Sequence, residues 1–206
     1  MFAFIRRLPK IRGERGFTLM EIIVVLGVIG VMAAVLTPMV VNYLDDAKKS
    51  KAESDVKTIG AVILRLTRDT VHFPIYKDAT KTTGDPDIEL LRGSGNDPVD
   101  HDTLKWLTTS KVGELADHLI KNNPGGAKYA TSGHFPWRGP YLEKIGEDPW
   151  GNRYLVNIKN ANPADSTSKV VWVLSAGPNG KIETSPNALA DSGPAPGGDD
   201  IAVRIK

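Results

Sequence analysis

Residues 22–41 read IIVVLGVIGVMAAVLTPMVV, twenty positions without a charge. A helix rises about 1.5 Å per residue, so this run spans about 30 Å, the thickness of a bilayer core. A helix of a small soluble domain normally shows a polar stripe, and none is present here. The run is therefore read as a membrane span, in which Gly27, Gly30 and Pro38 are tolerated where neighbouring helices pack closely. Beyond residue 41 the pattern becomes amphipathic. Ala52, Val56, Ile59, Ile63 and Leu66 recur at three- and four-residue steps between Lys48, Lys51, Lys57 and Arg65. Residues 42–70 should continue the helix and lay its apolar face on a globular domain formed by 71–206.

Within that domain, residues 78–103 are rich in Asp, Thr, Gly and Pro. They predict a long surface excursion with one short helical turn at 88–91. A helix is predicted over 112–120 (VGELADHLI), ending near Asn122, Asn123 and Pro124. Residues 154–158 and 170–174 have the apolar, β-branched character of strands, and 201–205 predict a last short one. No internal repeat is present. The predicted class is α+β, a long helix packed on a small antiparallel sheet.

Charge orients the span. The first sixteen residues hold Arg6, Arg7, Lys10, Arg12 and Arg15 against Glu14, and few positive charges directly follow residue 41. The positive-inside rule puts this leader in the cytoplasm and the rest of the chain outside. Without the leader the body is mildly acidic, which makes nucleic acid a poor partner. Cysteine is absent, which excludes disulfides, thiolate zinc sites and cysteine nucleophiles. An exported domain of this kind relies on its core or on another staple such as a metal ion.

An ordinary secretory signal is the rival reading, with Ala33-Ala34 as its cleavage site. The apolar run is longer than the usual stretch of about 7–15 residues, and an acid, Glu21, stands at its mouth. A carboxylate entering hydrocarbon costs about 3 kcal/mol or more. Either Glu21 snorkels to the headgroups, or it finds a cation. Cutting the chain between Gly16 and Phe17 would supply one, a new α-amine four residues before the acid.

The stretch Gly16-Phe17-Thr18-Leu19-Met20-Glu21, followed by the apolar run, resembles the class III signal of type IV pilins and type II secretion pseudopilins. The resemblance implies that a prepilin peptidase removes residues 1–16 after Gly16 and methylates the new amine of Phe17. It implies that 17–41 becomes the membrane and filament-core helix, and that the fold is the pilin lollipop. Glu21 would pair with the Phe17 amine of a neighbouring subunit and fix the register. Pro38 would loosen the helix. Gly139-Pro140-Tyr141-Leu142 and the run from Asp148 to Tyr154 resemble the GPYL…DPWGNPY signature of the major pseudopilin. Arg153 stands where that family often has proline, and 78–130 is extra material, an insertion relative to the family. Ser175-Ala176-Gly177-Pro178-Asn179-Gly180 and Gly198-Asp199-Asp200-Ile201 resemble its calcium loop, 175–200 in this chain. Calcium would be held by Asn179, Asp199, Asp200 and the backbone of Ala176, with Asp191 as a spare. Asn179 is neutral where the family commonly has Asp. Without the resemblance, Pro-Asn-Gly is a turn and the paired Asp residues only solvate a surface.

The function so implied is that of a major-type pseudopilin, an inner-membrane, single-pass protein with a periplasmic domain. It would polymerise with itself as a helical pseudopilus that drives type II secretion. Its partners would be other pseudopilins, the inner-membrane secretion platform, the prepilin peptidase, and the membrane before assembly. A minor pseudopilin and a type IV pilin are the alternatives. A membrane-anchored enzyme is the remote one: His72, His101, His118 and His134 are scattered without metal-protease spacing, and no nucleophile elbow is present. No catalytic role is expected.

Overall fold

The uncharged run and the amphipathic stretch behind it form one helix, α1 (Leu19–Thr70), with Pro38 inside it. The computed structural model describes residues 16–100, 104–162 and 168–206. Thr18 starts the helix: its Oγ1 accepts the Glu21 N–H at 3.2 Å, the bond of an N-cap. Pro38 has no N–H to give to the preceding turn. One residue earlier, the Thr37 hydroxyl donates to the Ala33 carbonyl at 2.7 Å, within that same turn.

The chain divides at Asp45/Asp46 into two units. In the first, every described side chain of α1 is exposed. In the second, α1 buries Ala52, Val56, Ile59, Ile63 and Leu66, the periodic face expected from the sequence.

The rest of the second unit is built from β1 (Leu90–Arg92), β2 (Val99–Asp100), β3 (Val112–Glu114), α2 (Leu115–Leu119), β4 (Leu155–Val156), β5 (Trp172–Ser175), β6 (Lys181–Ile182) and β7 (Ile201–Arg204). Five strands make one sheet in the order β3-β1-β4-β5-β7. It is antiparallel from β1 through β4 and β5 to β7, with Leu91 opposite Val156, Val156 opposite Val173, and Val173 opposite Val203. The class is α+β as expected, but the sheet is mixed: β3 joins β1 in parallel. A separate parallel pair joins β2 to β6.

Both faces of the sheet are covered. Leu91, Val156, Val171 and Val173 pack with Val56, Ile59, Ile63 and Leu66 of α1. Their neighbours Leu90, Leu155, Trp172 and Leu174 turn the other way and pack with Trp106 and Ile182. Side chains alternate across a strand, so a strand buried on both faces reads as an unbroken apolar run.

Two sequence expectations are corrected. Residues 88–91 do not make a helical turn. Leu90 and Leu91 lie in β1, an inner strand between β3 and β4, each buried on a different face. Residues 112–120 are not one helix either. The first three form β3, and only Leu115–Leu119 is helical. Gly113 allows this, because a Cβ there would stand 3.0 Å from Ile88 and 3.1 Å from Leu91. Residues 78–103 are therefore more than a surface excursion, since they supply β1, and the longer 78–130 stretch adds β3 to the main sheet and Trp106 to its far face.

Candidate functional site

Gly16, Phe17 and Thr18 precede α1, and Phe17 is 78% exposed. The leader, residues 1–15, lies outside the described residues. Glu21 occupies the third helical position after its cap, the Thr-x-x-Glu spacing of a capping box. Its carboxylate therefore also sits at the positive end of the helix dipole. The Thr-x-x-Glu spacing carries this second role alongside the cost of a carboxylate at the membrane. From Ile22 to Leu44 the large apolar side chains lie open on every side of the helix. Such a surface requires lipid or other helices around it.

The signature segment from Asp148 to Tyr154 is a structural clamp. Asp148 is buried; its Oδ1 accepts the N–H groups of Trp150 (3.0 Å) and Asn152 (2.8 Å), and its Oδ2 accepts the Ser175 hydroxyl at 2.7 Å. The turn is thereby tied to the end of β5. The Tyr154 hydroxyl donates to Asp55 on α1 at 2.8 Å, and burial with that acid nearby pushes the phenol pKa up. Arg153, the departure from proline, donates through Nε and Nη2 to the Gly95 carbonyl at 3.1 and 2.7 Å and meets Asp97 at 3.2 Å. It fastens the turn to the segment after β1. The Gly139-Pro140 bond is cis.

The two ends of the C-terminal loop meet. Gly177 has φ of +64°, and the place of a Cβ is taken by the carbonyl of Asp199. Asp199 Oδ2 accepts the Asn179 N–H at 3.0 Å. Asn179 turns its own Oδ1 to the Lys181 N–H at 2.6 Å. Asp200, only 7% exposed, accepts the Glu183 and Thr184 N–H groups through Oδ2 at 2.8 and 2.6 Å. The other oxygen of each acid, Asp199 Oδ1 and Asp200 Oδ1, is buried without a hydrogen-bond partner among the described residues. Burial raises the Asp200 pKa and the charge of Glu183 raises it further, against hydrogen bonds from Thr184 and Glu183. Ala176 is buried directly before Gly177. Asp191 lies exposed on a short 3-10 turn, Ala190–Ser192.

The sequence reading missed Glu183. Its signal was position: it is the residue after buried Ile182 of β6, four places beyond Asn179. The set of oxygen donors is of the kind calcium takes, and the two carboxylate oxygens without partners suit a cation. As the side chains stand, no three acidic or histidine groups among the described residues gather into a finished cage. An ion would have to draw them together. His118 stands elsewhere, buried on α2 with Nδ1 2.7 Å from the Tyr129 hydroxyl. His101 lies outside the described residues.

The prokaryotic N-terminal methylation motif matches residues 11–37. The type II secretion system core protein G of Dickeya chrysanthemi is 35% identical, over 84% of this chain and 83% of the relative. The protein of the same name from Pseudomonas aeruginosa is also 35% identical, over 69% of this chain and 72% of its own. A fimbrial protein of Pseudomonas aeruginosa is 28% identical over 58% of this chain and 77% of its own. No solved structure matches the fold at a significant level.

Proposed function

Because the chain belongs to the type II secretion system core protein G family, we propose that it is the major-type subunit of a periplasmic pseudopilus. It is a pseudopilin, a pilin-like structural subunit of type II secretion. The single observation that carries the assembly reading is α1, apolar and open on all sides from Ile22 to Leu44 behind Gly16-Phe17. The leader stays in the cytoplasm, α1 enters the inner membrane once, and the domain from Asp46 onward folds in the periplasm. Prepilin peptidase cuts after Gly16 and methylates Phe17. Subunits then leave the membrane and pack through α1, with other pseudopilins and the secretion platform as partners. Glu21 meets the Phe17 amine of a neighbour, and any other axial register leaves a buried charge unpaired. Pro38 lets the packed helix loosen.

Calcium belongs to this reading as the staple of a domain without disulfides. Asn179, Asp199 and Asp200 would hold it with the Ala176 carbonyl, and the ion supplies the positive charge that the acids lack. The fimbrial relatives favour a second reading, a pilin of a surface fibre. Intact-mass measurement on protein extracted from membranes tests the first step: the expected mass is that of a chain starting at methylated Phe17. A chain that keeps Met1, or one that starts near Val35, overturns the processing. Deleting the gene then separates the two readings, because a pseudopilin's loss stops export of secreted enzymes without removing a surface fibre.

A further inference from the structure

We propose that Glu183 is the third carboxylate of the calcium site, supplying the negative charge that Asn179 lacks. The inference rests on the calcium reading above and names the side chain that completes it in this chain.

Glu183 stands where the ends of the loop meet. Its Oε2 accepts Asn179 Nδ2–H from one end and the Asp199 N–H from the other, each at 3.3 Å. Its own N–H is held by Asp200 at 2.8 Å. The opposing backbone is cut back to admit it. A Cβ on Gly197 would strike the Glu183 carbonyl, and one on Gly198, where φ is +54°, would strike the carboxylate itself. Among the described residues, no lysine, arginine or histidine lies within ion-pair reach of Glu183, Asp199 or Asp200. Three like charges thus share one neighbourhood without a counter-charge. An independent sign that the site takes a ligand is Asp200, 7% exposed, whose Oδ1 has no partner among the described residues. Uncompensated buried charge is strongly unfavourable. One divalent ion would satisfy the orphaned oxygens and the charge together, and calcium takes six to eight oxygens in flexible geometry. Glu183 reaches the site on a longer side chain than aspartate. It arrives from β6, whose Ile182 is fixed in the core.

The test uses the full processed chain in detergent, with calcium chloride as the probe and melting and calorimetric titration as readouts. Glu183→Gln keeps an acceptor oxygen and removes the charge. Calcium affinity is expected to fall by about tenfold or more, as for loss of one charged ligand. The calcium-free melting temperature should stay the same or rise. Adding Asn179→Asp to Glu183→Gln should restore most of the affinity. Unchanged affinity in Glu183→Gln overturns the inference and leaves the calcium reading standing. A parent chain that shows no calcium response overturns both. Should Glu183→Gln fail to fold, carbodiimide labelling of carboxyls in the unaltered chain decides. Glu183 must become protected at the same calcium concentration as Asp199. Protection of Asp199 and Asp200 with Glu183 still labelled refutes its role.

Discussion

Glu21 answers to two fields at once, the dipole of its own helix and the charge of whatever approaches its turn. Replacing it by Ala removes a favourable first-turn anion, a loss of about 0.3–1 kcal/mol at an exposed site. The span becomes more apolar, so insertion and cleavage should proceed unchanged. Filaments should fail or lose register, because the neighbouring Phe17 amine is left alone. Mature mass together with the yield of sheared or cross-linked filament measures both; normal filaments and normal secretion from Glu21→Ala would refute the register role. His118 offers a separate test of the domain. Burial holds its pKa near 4 in the fold, against an ordinary value of 6.5. The neutral ring suits the interior, so its full stabilisation is present above pH 6.5 and drains away as the pH falls towards 4. The loss over that window is on the order of 3 kcal/mol. Urea midpoints of the detergent-solubilised chain should fall accordingly, and His118→Gln should flatten the curve. Single residues were legible where a short local motif carried them, as with Gly16-Phe17 inside the matched N-terminal methylation motif. Asp148 and Glu183 were not, because their partners at Ser175 and Asp199 are distant in sequence.

Helix α1 was legible because its apolar step recurs over many turns, and no competing period survives that length. The short strands were not. Two or three residues cannot display a period of two, and β1 sits among Gly, Pro and Asp residues that speak for a loop. Its state is decided by partners on both sides, β3 and β4, and by the helix beneath. Gly113 posed the opposite problem: the run after it is helical, and only the close approach of Ile88 and Leu91 explains an extended start. The helix meets the sheet closely at Gly60. A Cβ there would stand 2.8 Å from Ile205 and 3.2 Å from Val203. Alanine at this site sets a gain in helix propensity against the push on Ile205. Gly60→Leu has no such balance and should cost about 1–3 kcal/mol by overpacking. Thermal melting of the folded domain by circular dichroism would check it, and an unchanged midpoint would show that β7 yields freely.

Across the whole molecule, the 78–130 stretch explains why the apolar strand runs carry no polar alternation: Trp106 roofs the face that would otherwise be wet. No pattern within 154–158 or 170–174 could have named that roof, since it comes from a segment dozens of residues away. The C-terminal loop has little of such support, with only Ala188 and Ala190 packed, partly buried, against the cluster around Trp106. Fixing each residue costs roughly 1–2 kcal/mol of backbone entropy, and 185–199 buries almost nothing. Calcium binding to the folded form alone should raise the melting temperature as calcium rises. Chelation should expose 183–198 to protease before the sheet gives way, and Asp199→Ala with Asp200→Ala should mimic chelation. A melting point that ignores both chelator and millimolar calcium would leave these acids a solvated turn. The open stretch of α1 has a different consequence. Lipid tails are about as apolar as leucine, so exchanging them for packed helices returns no apolar surface to water. The bilayer then acts as a reservoir, close in free energy to the filament it feeds. Net growth then has to draw on helix packing, on charge pairing at Glu21, or on work supplied from outside. Pseudopilus length becomes a matter of how fast subunits are pushed in and how fast they slip back.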